Sequence, residues 1–124
     1  MLFGEKKSLH VKNSLAEFYK NETKKFIPNL VNKWSKIMDE KPNNIKFRKS
    51  KRRWGSCSIN NELSFNTSII QLPIKCIEYI IVHELSHIKY KHHQKKFWLH
   101  VEKFMPNYKE YETILKNYSP EITT

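Results

Sequence analysis

Glycine and cysteine are scarce in this chain, two of each among 124 residues, alongside five prolines. So little glycine and proline argues against low-complexity linkers, and no stretch recurs at a period that would build a solenoid. Cys57 and Cys76 form no CxxC pair and suggest no disulfide framework. No apolar run approaches the roughly 20 residues that a membrane helix needs. The opening "MLFGEKKSLH" has too short an apolar region for a signal peptide. Together these absences lead us to expect a cytoplasmic chain with no membrane partner. Acidic residues are also few: 12 Asp and Glu face 23 Lys and Arg, a formal charge of +11. That excess suits anionic partners such as nucleic acid, nucleotides or acidic proteins, but does not choose among them, and a merely solvated basic face would look the same.

What is present is enough for a modest core. Hydrophobic residues make up 39% and aromatics 13%, so the chain should fold, and its length reads as a single domain over residues 1–124. Leu15, Phe18 and Tyr19 suit one helix, and Phe26, Leu30, Val31, Trp34, Ile37 and Met38 a second, with Pro28 in the first turn of the second. "DEKPNN" ends that pattern. Ile45 and Phe47 then alternate with Lys46 and Arg48, as on a half-buried strand. "RRWGSCSI" and "ELSFN" flank Asn60-Asn61, a pair that tolerates the positive φ of a tight hairpin turn. Three antiparallel strands are therefore expected. Pro73 opens a long helical pattern whose buried stripe is Ile77, Ile80, Ile81, Leu85 and Ile88. Shorter helical segments follow near Phe97–Phe104 and Tyr108–Tyr118, separated by Pro106. The order predicts an α+β domain: N-terminal helices, a small three-stranded antiparallel sheet, and C-terminal helices.

His83, Glu84 and His87 spell HExxH inside that long helix. Residues four apart share a helix face, so the two imidazoles can ligate one zinc ion while the glutamate reaches the water it activates. HExxH also arises by accident, but titratable groups in an apolar stripe are costly, and a zinc ion explains them. A catalytic zinc needs a third protein ligand and an open fourth position. His93, six residues beyond His87, has the spacing of a third histidine that follows a turn after the helix. The turn "IKYKH" lacks the glycine common there, so the helix must end near Tyr90 or Lys91. His92 competes, but a new helix starting near His93, with Phe97 and Trp98 packed inward, favours His93. Glu102 is a weaker candidate, and His10 and His100 read as surface or packing histidines.

"RRWGSCS", "HELSH", the histidine and "FW" that follow it, and "MPNYKE" together resemble the YgjP-like family of predicted metal-dependent hydrolases. That family is similar to the SprT-like and WLM metalloproteases of the zincin fold, and the resemblance runs from about Leu15 to Leu115. It implies a zincin-like domain that lacks the family's usual N-terminal β-rich region. It also implies zinc held by His83, His87 and His93, with Glu84 as general base and acid. The activity expected is zinc-dependent hydrolysis, with a metallopeptidase acting on peptide or protein as the first reading. Zinc lowers the pKa of water from 15.7 to about 7, and Glu84 can accept the proton.

Gly55 within a strand marks a close approach of another backbone, and an edge strand beside a zincin cleft can pair with an extended substrate. Arg53, Trp54, Gly55 and Ser56 are thus candidate substrate-binding residues; Trp54 in the core with Gly55 at a bulge is the equal alternative. Cys57 and Cys76 read as small buried hydrophobes. The run from Lys46 to Arg53 and the group Lys89, Lys91, Lys95 and Lys96 would form a positive rim if they converge. Such a rim would suit a nucleotide substrate or nucleic acid. Two other readings follow: a metal-dependent nucleoside-triphosphate pyrophosphohydrolase, and a non-enzymatic, zinc-containing nucleic-acid-binding module.

Overall fold

The computed structural model describes the backbone of residues 2–119 and the side chains of residues 13–119. Helix α1 runs Leu2–Met38, followed by strands β1 (Asn44–Arg48), β2 (Gly55–Cys57) and β3 (Glu62–Asn66). After a short 3-10 turn at Ile69–Gln71 come α2 (Ile74–Lys89), α3 (Lys95–Phe104) and α4 (Tyr108–Leu115). Among the described residues no helix is long and apolar enough to cross a membrane.

The two N-terminal helices expected from the sequence are one. Pro28 lies inside α1 rather than opening a second helix. The reason is tertiary: Thr23, Ile27, Val31 and Met38, spaced by four, four and seven residues, form one buried stripe across the proline, and α1 packs on α2 and on the 3-10 turn. Thr23 Oγ1 donates to the Thr67 carbonyl at 2.9 Å, and Trp34 Nε1 and Lys33 Nζ both reach Glu78 Oε2, at 2.8 and 3.2 Å, so this buried carboxylate is paired. Leu15, Phe18 and Phe26 stay exposed.

The sheet is mixed, not antiparallel throughout. Its order is β1-β3-β2, with β1 parallel and β2 antiparallel to the central β3. The cause is the loop between β1 and β2, which passes over the end of β3 instead of turning back on itself. Asn66 closes β3 and is nearly buried, at 3% exposure. Its Nδ2 donates to the carbonyls of Ser50 (2.7 Å) and Arg53 (2.9 Å), holding both ends of the loop. The β2–β3 hairpin does turn at Asn61, whose φ is 63°. There Ser58 N donates to the Glu62 carbonyl at 2.9 Å, and Ser58 Oγ accepts from the amides of Asn60 and Glu62.

The core sits where β3 meets α2. Leu63 and Phe65, two residues apart on one face of the strand, are fully buried with Ile77, Ile81 and Leu85. Phe97 and Val101 of α3 and Tyr108 of α4 complete it. Helix α2 starts after Pro73 and stops at Lys89, with Tyr90 extended at its end, close to the boundary that the sequence implied.

Pro28 lacks the amide that would donate to the carbonyl four residues earlier, so it weakens α1 where α1 packs. Pro28→Ala should raise stability by about 1–3 kcal/mol, read as a higher urea midpoint. A lower midpoint would show that the proline ring contributes packing that outweighs the restored bond.

Candidate metal centre and cleft

His83 and His87 lie one turn apart on α2, and the turn after the helix brings His93 back over them. One ring nitrogen from each lies within 4.8 Å of the others, and among the described residues these three form the group that could hold a metal. His87 Nε2 and His93 Nε2 are 3.0 Å apart. His87 Nδ1 lies 2.9 Å from the Tyr90 carbonyl, which can only accept. The proton therefore sits on Nδ1 and the Nε2 lone pair faces His93. Two nitrogen ligands at 2.0–2.1 Å from a tetrahedral metal stand about 3.3–3.4 Å apart, close to the spacing seen. Burial, reinforced by the neighbouring imidazoles, lowers the His83 pKa to about 3, and burial also lowers that of His87. Both are neutral near pH 7, the form that a metal requires.

Aromatic rings fix this arrangement. Phe97 stacks on His87 at 4.4 Å between centroids and meets His83 edge-on at 4.9 Å. Trp98 Nε1 donates to the His93 carbonyl at 3.0 Å, anchoring the turn to α3. His92 points elsewhere: its Nδ1 accepts from the Gln94 amide at 3.1 Å. Glu102 is exposed on α3, outside the histidine group. His100 is buried between Tyr90 and Phe104 as a packing residue, and the side chain of His10 lies outside the described residues.

Glu84 is only 7% exposed, and among the described residues no hydrogen bond or ion pair engages its carboxylate. Burial pushes its pKa up to about 8, against a smaller lowering by the Arg53 charge. Glu84 fits there because β2 presents Gly55 to it. A Cβ on Gly55 would stand 3.1 Å from Ile80 Cγ2, 3.3 Å from Glu84 Cγ and 3.4 Å from Glu84 Oε2. The close approach is thus with helix side chains. No positive φ is involved.

A cleft of about 270 Å³ is lined by Arg53, Gly55, Tyr79, His83, Glu84 and Glu112, with Trp54 at its wall. Trp54 is half-buried and also packs on the core, so both sequence readings of it describe part of its surroundings. Ser56 lines a different pocket, with the basic loop. Tyr79 and Glu112 were not foreseen: the hydroxyl donates to Glu112 Oε2 at 3.1 Å, and burial raises the phenol pKa. Tyr79 lies one turn before His83, a signal available in the sequence, whereas Glu112 arrives from α4 through the fold alone.

Strand β2 is an edge of the sheet. The Trp54 carbonyl accepts from Asn66 N and Ser58 N donates to the Glu62 carbonyl, both at 2.9 Å. By the alternation of an antiparallel ladder, Gly55 and Cys57 turn their peptide groups to the outer edge. Lys91 braces this hairpin, donating to the Ser58 carbonyl at 3.1 Å and to Asn61 Oδ1. Cys57 is half-buried, with burial raising its thiol pKa, and Cys76 is fully buried. The two basic groups do not form a shared rim: the 48–53 run lines its own pocket, and none of Lys89, Lys91, Lys95 or Lys96 lines it.

An HExxH helix over a small sheet, with a third histidine folded back, belongs to a known class of fold. The structure is similar to the crystal structure of the metallopeptidase zymogen of Pyrococcus abyssi abylysin, with a TM-score of 0.66 and 23% identity over 74% of this chain and 94% of that one. It is similar as well to the metallopeptidase zymogen of Methanocaldococcus jannaschii jannalysin, with a TM-score of 0.65 and 24% identity over 73% and 94%. These likenesses show the fold. The family profile described as YgjP-like, metallopeptidase domain, matches residues 4–118, and the chain belongs to that family. It is an enzyme of metallopeptidase type. A search of the curated proteins finds no match.

Adding a methyl group at Gly55 must displace Ile80 or Glu84. Gly55→Ala should therefore destabilise the protein by about 1–3 kcal/mol, the usual cost of overpacking, read by thermal denaturation. An unchanged melting temperature would mean that β2 can move away from α2 freely.

Proposed function

We propose that this chain hydrolyses peptide bonds with a zinc ion held by His83, His87 and His93, and with Glu84 as general base and acid. The observation that carries this reading is the convergence of three imidazoles beside a buried, unpaired carboxylate. Zinc bound there would supply a Lewis acid and lower the pKa of water from 15.7 toward about 7. Glu84 takes one proton from the attacking water. The water oxygen bonds to the carbonyl carbon, the C–N bond breaks, and Glu84 passes its proton to the leaving amine. A carboxylate in apolar surroundings is, when ionised, a stronger base than one in water, which favours the first transfer.

The substrate lies extended along β2. The outward peptide groups of Gly55 and Cys57 offer it a strand to pair with, and Trp54 and Arg53 flank the cleft. Nucleotide and nucleic-acid partners, and hydrolysis of nucleoside triphosphates, draw no support from the family or from the fold neighbours.

Elemental analysis should find one zinc per chain, lost in His87→Ala. Glu84→Gln should keep the zinc and lose peptide cleavage by on the order of 10²-fold or more. A Glu84→Gln protein with full activity would show that another group takes the proton. A His87→Ala protein with full zinc would remove that residue from the ligand set.

A further inference from the structure

Beside the cleft, on the other side of β2, lies a second pocket of about 390 Å³. Five cations line it, Arg48, Lys49, Lys51, Arg52 and Arg53, with Ser56 and Ser64 at its floor. Among the described residues the ion pairs are Lys33–Glu78 and Lys46–Glu62, so none of the five is in one, and only Arg53 acts on an acid, Glu84, through its charge. Like charges this close repel, and the loop keeps them together only because it is tied down. Asn66 Nδ2 holds the carbonyls of Ser50 and Arg53, Thr67 N donates to the Arg48 carbonyl at 3.2 Å, and Ser50 Oγ accepts from the amides of Arg52 and Arg53. The backbone that carries the cations is thus set before any ligand arrives.

Arg53 and Gly55 belong to the walls of both the pocket and the cleft. On β3, Leu63 and Phe65 face the buried helices, and Ser64 between them faces the opposite side, where the basic pocket opens. A peptide paired along the edge of β2 presents successive side chains to opposite faces of the sheet. Of any two neighbouring substrate residues, one therefore points toward the helices and the other toward the five cations. We propose that this pocket is a subsite for acidic side chains, selecting peptides with Asp or Glu within two residues of the bond cleaved. The inference rests on the peptidase reading above, and it adds the substrate class that the site prefers.

The test uses the full chain loaded with zinc. Cleavage of a mixed peptide library, read by mass spectrometry, should show Asp and Glu enriched within two residues of the cut. Lys51 and Arg52 are exposed and outside the cleft, so Lys51→Glu/Arg52→Glu should fold and hold zinc as the parent does. The double variant should lower kcat/KM on an acidic peptide by about tenfold, as expected for reversing two exposed charge contacts, and should favour the lysine counterpart. Binding separates this inference from the chemistry. Zinc-loaded Glu84→Gln should bind the acidic peptide more tightly than its lysine counterpart by fluorescence anisotropy, and the double charge reversal should erase the difference. Charge-selective binding without cleavage would support the subsite and sink the peptidase reading. Cleavage with no charge preference, and equal binding of both peptides, would overturn the subsite and leave the peptidase reading standing. Tight binding of a short single-stranded DNA that the double variant loses, with peptide selectivity unchanged, would overturn it in favour of nucleic acid.

Discussion

The closeness of β2 to α2 is the constraint on which the rest of the structure depends. Glu84 can be both buried and next to an edge strand because residue 55 has no side chain. That contact brings the face of the helix that carries Ile80 and Glu84 against the strand. The Asn66 clamp and the Asn61 turn hold β2 at the edge from its two ends, and Lys91 ties the hairpin to the turn that carries His93. A shift of β2 would therefore disturb the carboxylate, the cleft wall and the third histidine together.

Burial does opposite things to the groups gathered there, and both effects serve one chemistry. It disfavours charge, so His83 and His87 are held neutral as donors while the Glu84 carboxyl is raised above its usual range. A group of three lone-pair donors beside an unpaired acid is a poor solution for stability alone. It becomes a reasonable one when a cation sits among the donors and water stands beside the acid. Phe97 and Trp98 make the arrangement rigid without adding a polar competitor.

The long helix was legible in the sequence because Ile77, Ile81 and Leu85 repeat with its period, and HExxH can be placed on a known face once that helix is established. The turn back to His93 was legible through Phe97 and Trp98. Other features lay outside local pattern. Pro28 signals a helix start, and only the stripe of Thr23, Ile27 and Val31 packed on α2 shows that the helix continues through it. Three short strands with short connections suggest a meander, whereas β1 pairs in parallel with β3 and the crossing loop is held by Asn66, whose partners at Ser50 and Arg53 lie 16 and 13 residues away. Glu112 and the separation of the two lysine-rich groups depend on how α4 and the 48–53 loop dock, which periodicity cannot report.

The central claim is that three imidazoles hold the metal. X-ray absorption at the zinc edge of the loaded full chain reads the ligand atoms directly. The account predicts nitrogen neighbours at 2.0–2.1 Å with the multiple scattering of three imidazole rings and a remaining light-atom ligand. A sulfur neighbour near 2.3 Å, or fewer than three imidazoles, would contradict it.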